Sequence, residues 1–407
     1  MNNIVKKDDT IIISSLLFIS LWGFGLIPII VGWLLVPIAI FSAFYAKGKT
    51  DYLGKYIISF FVFLFISSIS CLFVRHQSLM DTFRTRDFLN YMLFLVYFIY
   101  LVLKPSIASV EKSLLYVCIL FFIVYFLEYL FYPIKIVPIL AGEMTHRFRI
   151  IGQAINSLVF LFCLNKLIIT NKPKYLFYLI PSAMVFLVLS FRMMIASILI
   201  VSFLMYIKVM KQNLNNYLKT GLLVLLLGGI LYASPFFEKS LERITTAQLD
   251  DQIYENKEYI RWIEYDYYTN NFHKNYFERI TGAGQPGKES LYAKQMQVVK
   301  EGKIYNSDTT GWKDWGLLGL SWIIGPITVC ILIYIMCKCI YISWHLDKRY
   351  FYIACWFLFL LLISINNAEA FREGTFSLYA IMLYMTNQLY KDHKTMNILS
   401  RVKKSYH

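Results

Sequence analysis

The residues in this chain best suited to chemistry are arginines. Arg147 and Arg149 lie two apart in His146-Arg-Phe-Arg-Ile-Ile-Gly-Gln-Ala-Ile-Asn156, Arg192 sits in Leu189-Ser-Phe-Arg-Met-Met194, and Arg372 sits in Asn366-Asn-Ala-Glu-Ala-Phe-Arg-Glu373. A guanidinium is a planar fork of donors that grips phosphate or carboxylate in pairs, which the point charge of Lys cannot do. An extended backbone through 147–149 places both side chains on one side. Arg192 falls between two apolar runs with almost no loop, where an ionisable group costs about 2–3 kcal/mol on insertion. Each arginine also has a plainer reading. Arg147 and Arg149 reach lipid headgroups, Arg192 joins an ion pair inside the bundle, and Arg372 pairs with Glu369 or Glu373.

Candidates for proton transfer are Asp308, beside Ser307 and Thr309, and Glu258, one helical turn before Arg261. Either carboxylate suits a general base acting on a hydroxyl. Glu255, Glu369, Glu373, His146 and His273 are weaker candidates. Gly282-Ala-Gly-Gln-Pro-Gly287 fits a dinucleotide-loop pattern by spacing alone, but it follows no strand of a βαβ unit and reads as a turn. No catalytic Ser/His/Asp set, Walker loop or metal-ligand spacing is visible. The seven cysteines fall in or at the ends of apolar runs and form no disulfide framework. No cofactor or metal is expected.

These residues must be positioned by membrane helices. The chain is 58% hydrophobic and 16% charged, against about 45–50% and about 25% for soluble domains. Apolar runs repeat at 11–24, 27–46, 56–74, 88–103, 113–132, 151–169, 175–191, 193–210, 220–234, 315–337, 350–366 and 374–390. Continuous runs of this length predict an all-α, polytopic helical membrane protein with about 12 transmembrane helices, or 11 if the first two form a hairpin across Gly23, Gly25 and Pro28. An alternating barrel pattern is absent. A basic start followed by an uncleaved apolar segment predicts a retained anchor.

The basic residues then separate by type. With the N-terminus inside, the inner short segments hold 19 Lys and 2 Arg, and the outer ones hold Arg75, Arg84, Arg86, Arg147, Arg149, Arg192, Arg372 and Lys135. The excess of 21 over 8 sets the orientation, with both termini cytoplasmic. Arg on the outer side runs against that rule and calls for an anionic ligand there. The net charge of +15 shows no basic stripe interleaved with aromatics, so nucleic acid is not expected. The organisation is N-terminal helices over 1–234, a long extracytoplasmic loop over 235–314, C-terminal helices over 315–391 and a tail over 392–407. The first half of the loop reads helical, with Tyr254, Glu258, Arg261, Tyr265 and Tyr268 on one face.

The pattern resembles the O-antigen polymerase and O-antigen ligase superfamily of bacterial membrane glycosyltransferases, with an architecture similar to the GT-C type. The matching features are about a dozen spans, Arg147 and Arg149 just before a mid-chain span, and the short loop bearing Arg192. A long outer loop precedes the last three spans and carries Ile280-Thr-Gly-Ala-Gly and a closing segment, Asn306-Ser-Asp-Thr-Thr-Gly-Trp-Lys-Asp-Trp-Gly-Leu-Leu-Gly319. Ligases of the superfamily carry a His near the start of that segment. Asp308 stands in its place, which favours the polymerase branch.

The resemblance implies a metal-independent, inverting transfer of undecaprenyl-diphosphate-linked glycan onto another lipid-linked repeat unit, at the outer face of the bacterial cytoplasmic membrane. Arg147, Arg149, Arg192, Arg261 and, less strongly, Arg372 would hold the diphosphate. Asp308 or Glu258 would be the base. Tyr254, Tyr265 and Trp312 would contact sugar. The partners would be the lipid-linked donor and acceptor, the bilayer and a chain-length regulator. A ligase of the same fold is the nearest alternative. A lipid-linked glycan transporter needs charge along a path through the core, where Glu128 is the main ionisable residue.

Overall fold

A computed structural model describes residues 9–22, 25–46, 53–137, 139–141, 148–189, 192–209, 264–287, 290–296, 298–300, 303–306, 311–365 and 367–405. The described chain is helical apart from two short antiparallel ribbons. Helices α1 (Thr10–Trp22), α2 (Ile29–Ala46) and α3 (Gly54–Val74) are followed by a short α4 (Leu79–Phe83). Helix α5 (Arg86–Met92) runs through one tight turn into α6 (Val96–Leu103), and α7 (Ile107–Phe131) follows. The ribbon of β1 (Ile139–Ala141) and β2 (Arg149–Ile150) leads into α8 (Ala154–Thr170), α9 (Leu176–Leu189) and α10 (Arg192–Val209).

After a π-helical turn at Tyr267–Asn271 come α11 (Tyr276–Thr281), α12 (Leu291–Gln295) and the ribbon of β3 (Val298–Lys300) and β4 (Lys303–Asn306). The chain closes with α13 (Gly316–Ile324), α14 (Pro326–Trp344), α15 (Phe351–Ile363) and α16 (Thr375–Ser405).

Among the described residues five helices are long and apolar enough to cross a membrane: α2, α3, α5–α6, α7 and α14. Four more apolar helices are shorter and coincide with expected spans: α1, α8, α9 and α10. The expected span 220–234 lies outside the described residues.

Helix α15 and the first half of α16 are buried almost all round, as expected for apolar helices at the centre of a bundle. Trp356 donates from Nε1 to Ser157 Oγ at 3.3 Å, and Tyr384 donates to the Pro105 carbonyl at 2.8 Å. Helices such as α2 and α3 bury one side and expose Leu34, Ile38, Phe41, Ile58, Val62 and Phe73 on the other. That polarity suits hydrocarbon as the solvent.

Two boundaries differ from the pattern read in the sequence. The run 315–337 is two helices, because Gly325 adopts φ +88° and Pro326 has no N–H to continue the first. A Cβ on Gly325 would come within 2.5 Å of the Thr281 carbonyl oxygen, so the break is where the loop returns onto the bundle. The final helix runs on to Ser405, since hydropathy falls after Tyr390 while helix propensity does not.

Candidate functional site

The polar residues of interest gather at one end of the bundle, the end that the distribution of Lys and Arg marks as outer. Strand β2 presents Arg149, 3% exposed. Phe148 fixes the approach: its carbonyl accepts from Tyr125 Oη at 3.0 Å, and its ring packs edge-on against Tyr125, Tyr129 and Tyr132. Gly152 then turns the chain into α8 at φ +86°, with a Cβ there meeting the Trp22 indole at 3.0 Å. Gln153 stands at the N-cap position of α8 without a capping side-chain bond and, with Asn156, Phe186, Met194 and Phe359, lines a cavity of about 10 Å³, room for one water. Both ends of its buried carboxamide lack a hydrogen-bond partner among the described residues.

Facing β2 is the turn between α15 and α16. Asn90 on α5 clamps it, donating to the carbonyls of Phe371 (2.9 Å) and Arg372 (2.8 Å) and accepting from Gly374 N at 3.0 Å. The clamp fixes Arg372 and Glu373 in direction. Glu373 sits in the field of Lys313, Arg372 and Arg149. Burial pushes its carboxyl up, yet Lys313, a backbone amide, Arg372 and Arg149 outweigh burial and hold it below the ordinary carboxylate range. Burial lowers the pKa of Arg372, with Glu373, Asp314 and Asp87 opposing. It stays charged at any physiological pH. Arg149 and Arg372, far apart in sequence, both act electrostatically on the one Glu373 carboxylate.

The closing segment completes the cluster. Lys313 Nζ lies 2.9 Å from Asp87 Oδ1 on the first turn of α5, and Gln285 donates to Asp87 Oδ2 at 2.9 Å. Gln77 holds the turn that carries Gln285, donating to its carbonyl and accepting from Gly287 N, each at 2.8 Å. Arg149, Lys313 and Arg372 thus share this neighbourhood with Asp87, Asp314 and Glu373. Helices α2, α8, α10, α13 and α16 are among those that begin at this end. Their N-terminal dipoles favour negative charge there. Arg192 is the first residue of α10, two positions before the cavity-lining Met194.

The other expected site residues divide. Arg147, Arg261, Tyr254, Glu258 and Asp308 lie outside the described residues. Tyr265 is 36% exposed and packs on Trp315 at 5.1 Å and on Trp322 at 6.4 Å. Tyr268, expected on the same helical face, is buried and stacks on Trp322 at 5.0 Å, because the π-turn shifts the register. Trp312 is fully buried against Phe371 at 5.9 Å with Lys313 over its ring. It is a packing anchor for the closing segment and presents no open face for a sugar.

Arg75 is taken out of the outer-arginine group by a buried ion pair with Glu278 at 2.6 Å. His273 donates from Nε2 to the Trp322 carbonyl at 3.2 Å, and burial lowers its pKa despite that bond. It is a neutral, positioned ring. Glu128 does not sit in mid-span: it accepts from Ile136 N and Val137 N at 2.8 and 3.2 Å near the outer end of α7.

Asp87, Asn90, Gln153 and Lys313 were not singled out by sequence reasoning. Lys313 had a signal, a cation within the closing segment, whereas Asn90 gave none. Among the described residues no three His, Cys, Asp or Glu side chains gather where a metal could sit. Compared with known proteins, the chain matches no family model and no curated protein.

Proposed function

We propose that this protein is a membrane glycosyltransferase of the polysaccharide-polymerase type. It transfers undecaprenyl-diphosphate-linked glycan onto a second lipid-linked repeat unit at the outer face of the cytoplasmic membrane, with inversion and without a metal. The observation that carries this reading is that Arg149, which is buried, and Arg372 both act on the Glu373 carboxylate at one end of an apolar bundle. Diphosphate is already a good leaving group, so the protein's task is to neutralise charge as it develops, and fixed cations in a water-poor site do this well.

In the step proposed, an acceptor hydroxyl oxygen bonds to the anomeric carbon as the bond from that carbon to diphosphate breaks. The hydroxyl proton passes to Asp308 or Glu258, and the diphosphate leaves as its lipid-linked anion. Arg147, Arg192 and Arg261 supply further positive charge, and Glu373 acts as the internal counter-ion to Arg149 and Arg372 when no substrate is bound. Tyr265, partly exposed, contacts a sugar ring. Asp308 in place of the ligase His favours polymerase over ligase.

The test is the electrophoretic profile of surface glycan from a deletion strain, complemented with wild type or Arg192→Ala. Loss of the ladder with a single repeat unit still attached to its lipid anchor supports a polymerase. Long polymer held on undecaprenyl diphosphate and never transferred would assign the ligase reaction instead.

A further inference from the structure

Helix α11 has its polarity reversed. Its one buried side chain is the carboxylate Glu278, while Tyr276 (82% exposed), Phe277 (53%) and Ile280 (55%) face outward. Glu278 is held inside by Arg75 Nε at 2.6 Å and by Lys274 N at 2.7 Å, and Arg75 stacks over the rings of Phe272 and Tyr292, each at 4.9 Å. A helix with its charge inside and its aromatics outside is unfavourable in water, because large apolar side chains are left in contact with solvent.

The surroundings identify the solvent. The α11 turn is fastened to the ends of α3 and α13: Ala283 N donates to Trp322 O at 3.0 Å, Gly284 N donates to Ile323 O at 2.8 Å, and a Cβ on Gly284 would lie 2.3 Å from Cys71 Cβ. The exposed apolar surface of α11 therefore continues that of α3, where Phe73 is 71% and Ile69 44% exposed, and that of α14, where Ile327 is 39% exposed. Two cations border the patch: Lys274 reaches the Val74 carbonyl at 3.4 Å, and Arg279 stacks over Tyr276 at 5.7 Å. Aromatic rings beside basic side chains, next to the end of an apolar span, fit the headgroup level of a bilayer.

We infer that α11 is an interfacial helix, its Tyr276–Phe277–Ile280 face embedded in the lipid leaflet beside α3 and α14 with Lys274 and Arg279 on anionic headgroups. The segment that the sequence reads as soluble loop is in this part a membrane contact, and it anchors the following turn, which carries Gln285 to Asp87. The inference rests on the bundle's spanning a bilayer and not on the proposed reaction.

The full chain, with the exposed cysteines Cys330 and Cys337 changed to Ser, is reconstituted in nanodiscs containing anionic lipid. A fluorophore is attached in turn at Tyr276→Cys, at Asn271→Cys as an exposed loop position, and at Val62→Cys as a mid-span position. Quenching is read with a phosphatidylcholine carrying its quencher high on the acyl chain and with aqueous iodide. The expected result is lipid quenching at position 276 several-fold above that at 271, with iodide quenching correspondingly lower, and strong lipid quenching at 62. Equal behaviour at 276 and 271 overturns the inference. Protection of 276 from both quenchers overturns it in favour of a protein contact. Absence of lipid quenching at 62 removes the bilayer itself. Phe277→Cys repeats the reading should the label at 276 disturb folding.

Discussion

The two ends of the bundle are both basic, and they use positive charge differently. At the inner end the cations are mostly lysines, paired across the bundle or with a near neighbour. Lys166 bridges Glu111 at 2.9 Å, with Tyr352 donating to the same carboxylate, and Arg349 pairs with Asp347 two residues away. At the outer end Arg149 is 3% exposed, and Arg372 and Lys313 share its environment together with three carboxylates. In the orientation expected from the sequence, the inner charges need only stay out of hydrocarbon. The outer charges are partly desolvated and fixed by backbone clamps, a cost that orientation alone does not explain. Desolvated, preorganised cations are what a leaving diphosphate requires.

The largest difference between the ends should appear in stability. Glu278→Ala leaves Arg75 buried without its partner and should cost about 3–5 kcal/mol, read as a large drop in melting temperature in detergent. A drop no larger than that of an inner-end variant would remove the claim that the outer end is built on buried charge.

Activity should divide the ends next. Arg372→Ala, or Arg149→Lys, which keeps charge and loses the fork, should lower turnover by about 10²–10³-fold with expression unchanged. Lys166→Ala should leave turnover within about two-fold, since its pair with Glu111 lies at the other end of the bundle.

A smaller effect distinguishes the carboxylates. The Glu373 pKa is lowered on folding, so its contribution is present above its ordinary value of 4.5 and is lost as pH falls through the folded value. Glu373→Gln should therefore flatten the acid side of the melting profile below about pH 4.5. Arg349→Ala, which removes an exposed pair, should change stability by about 0–1 kcal/mol. A larger change would mean that the inner end too is structurally committed.

The sequence made the membrane helices legible because hydrocarbon imposes long apolar runs on any chain that crosses it. It also marked Arg149 and Arg372 by type and by place. It could not show that both act on Glu373, since the Asp87–Lys313 pair spans 226 residues and the Asn90 clamp 281. Nor could it show that Arg75 is consumed by Glu278, because a local pattern cannot distinguish a free outer arginine from a paired one. The Gly282–Gly287 turn, discarded as a nucleotide loop, turns out to need glycine for contact with backbone: a Cβ at Gly282 would sit 2.3 Å from Gly325 N. Gly325 was passed over within an apolar run, and its left-handed φ splits what reads as one span.

The central claim is that the outer arginines hold the diphosphate of a lipid-linked glycan. The most direct measurement is turnover of undecaprenyl-diphosphate-linked repeat units by purified protein in nanodiscs, comparing wild type, Arg149→Lys, Arg192→Lys and Lys166→Ala. The account predicts polymer and released undecaprenyl diphosphate from wild type and Lys166→Ala, and near loss of both from the two Arg→Lys variants. Undiminished polymer from Arg149→Lys and Arg192→Lys would contradict it.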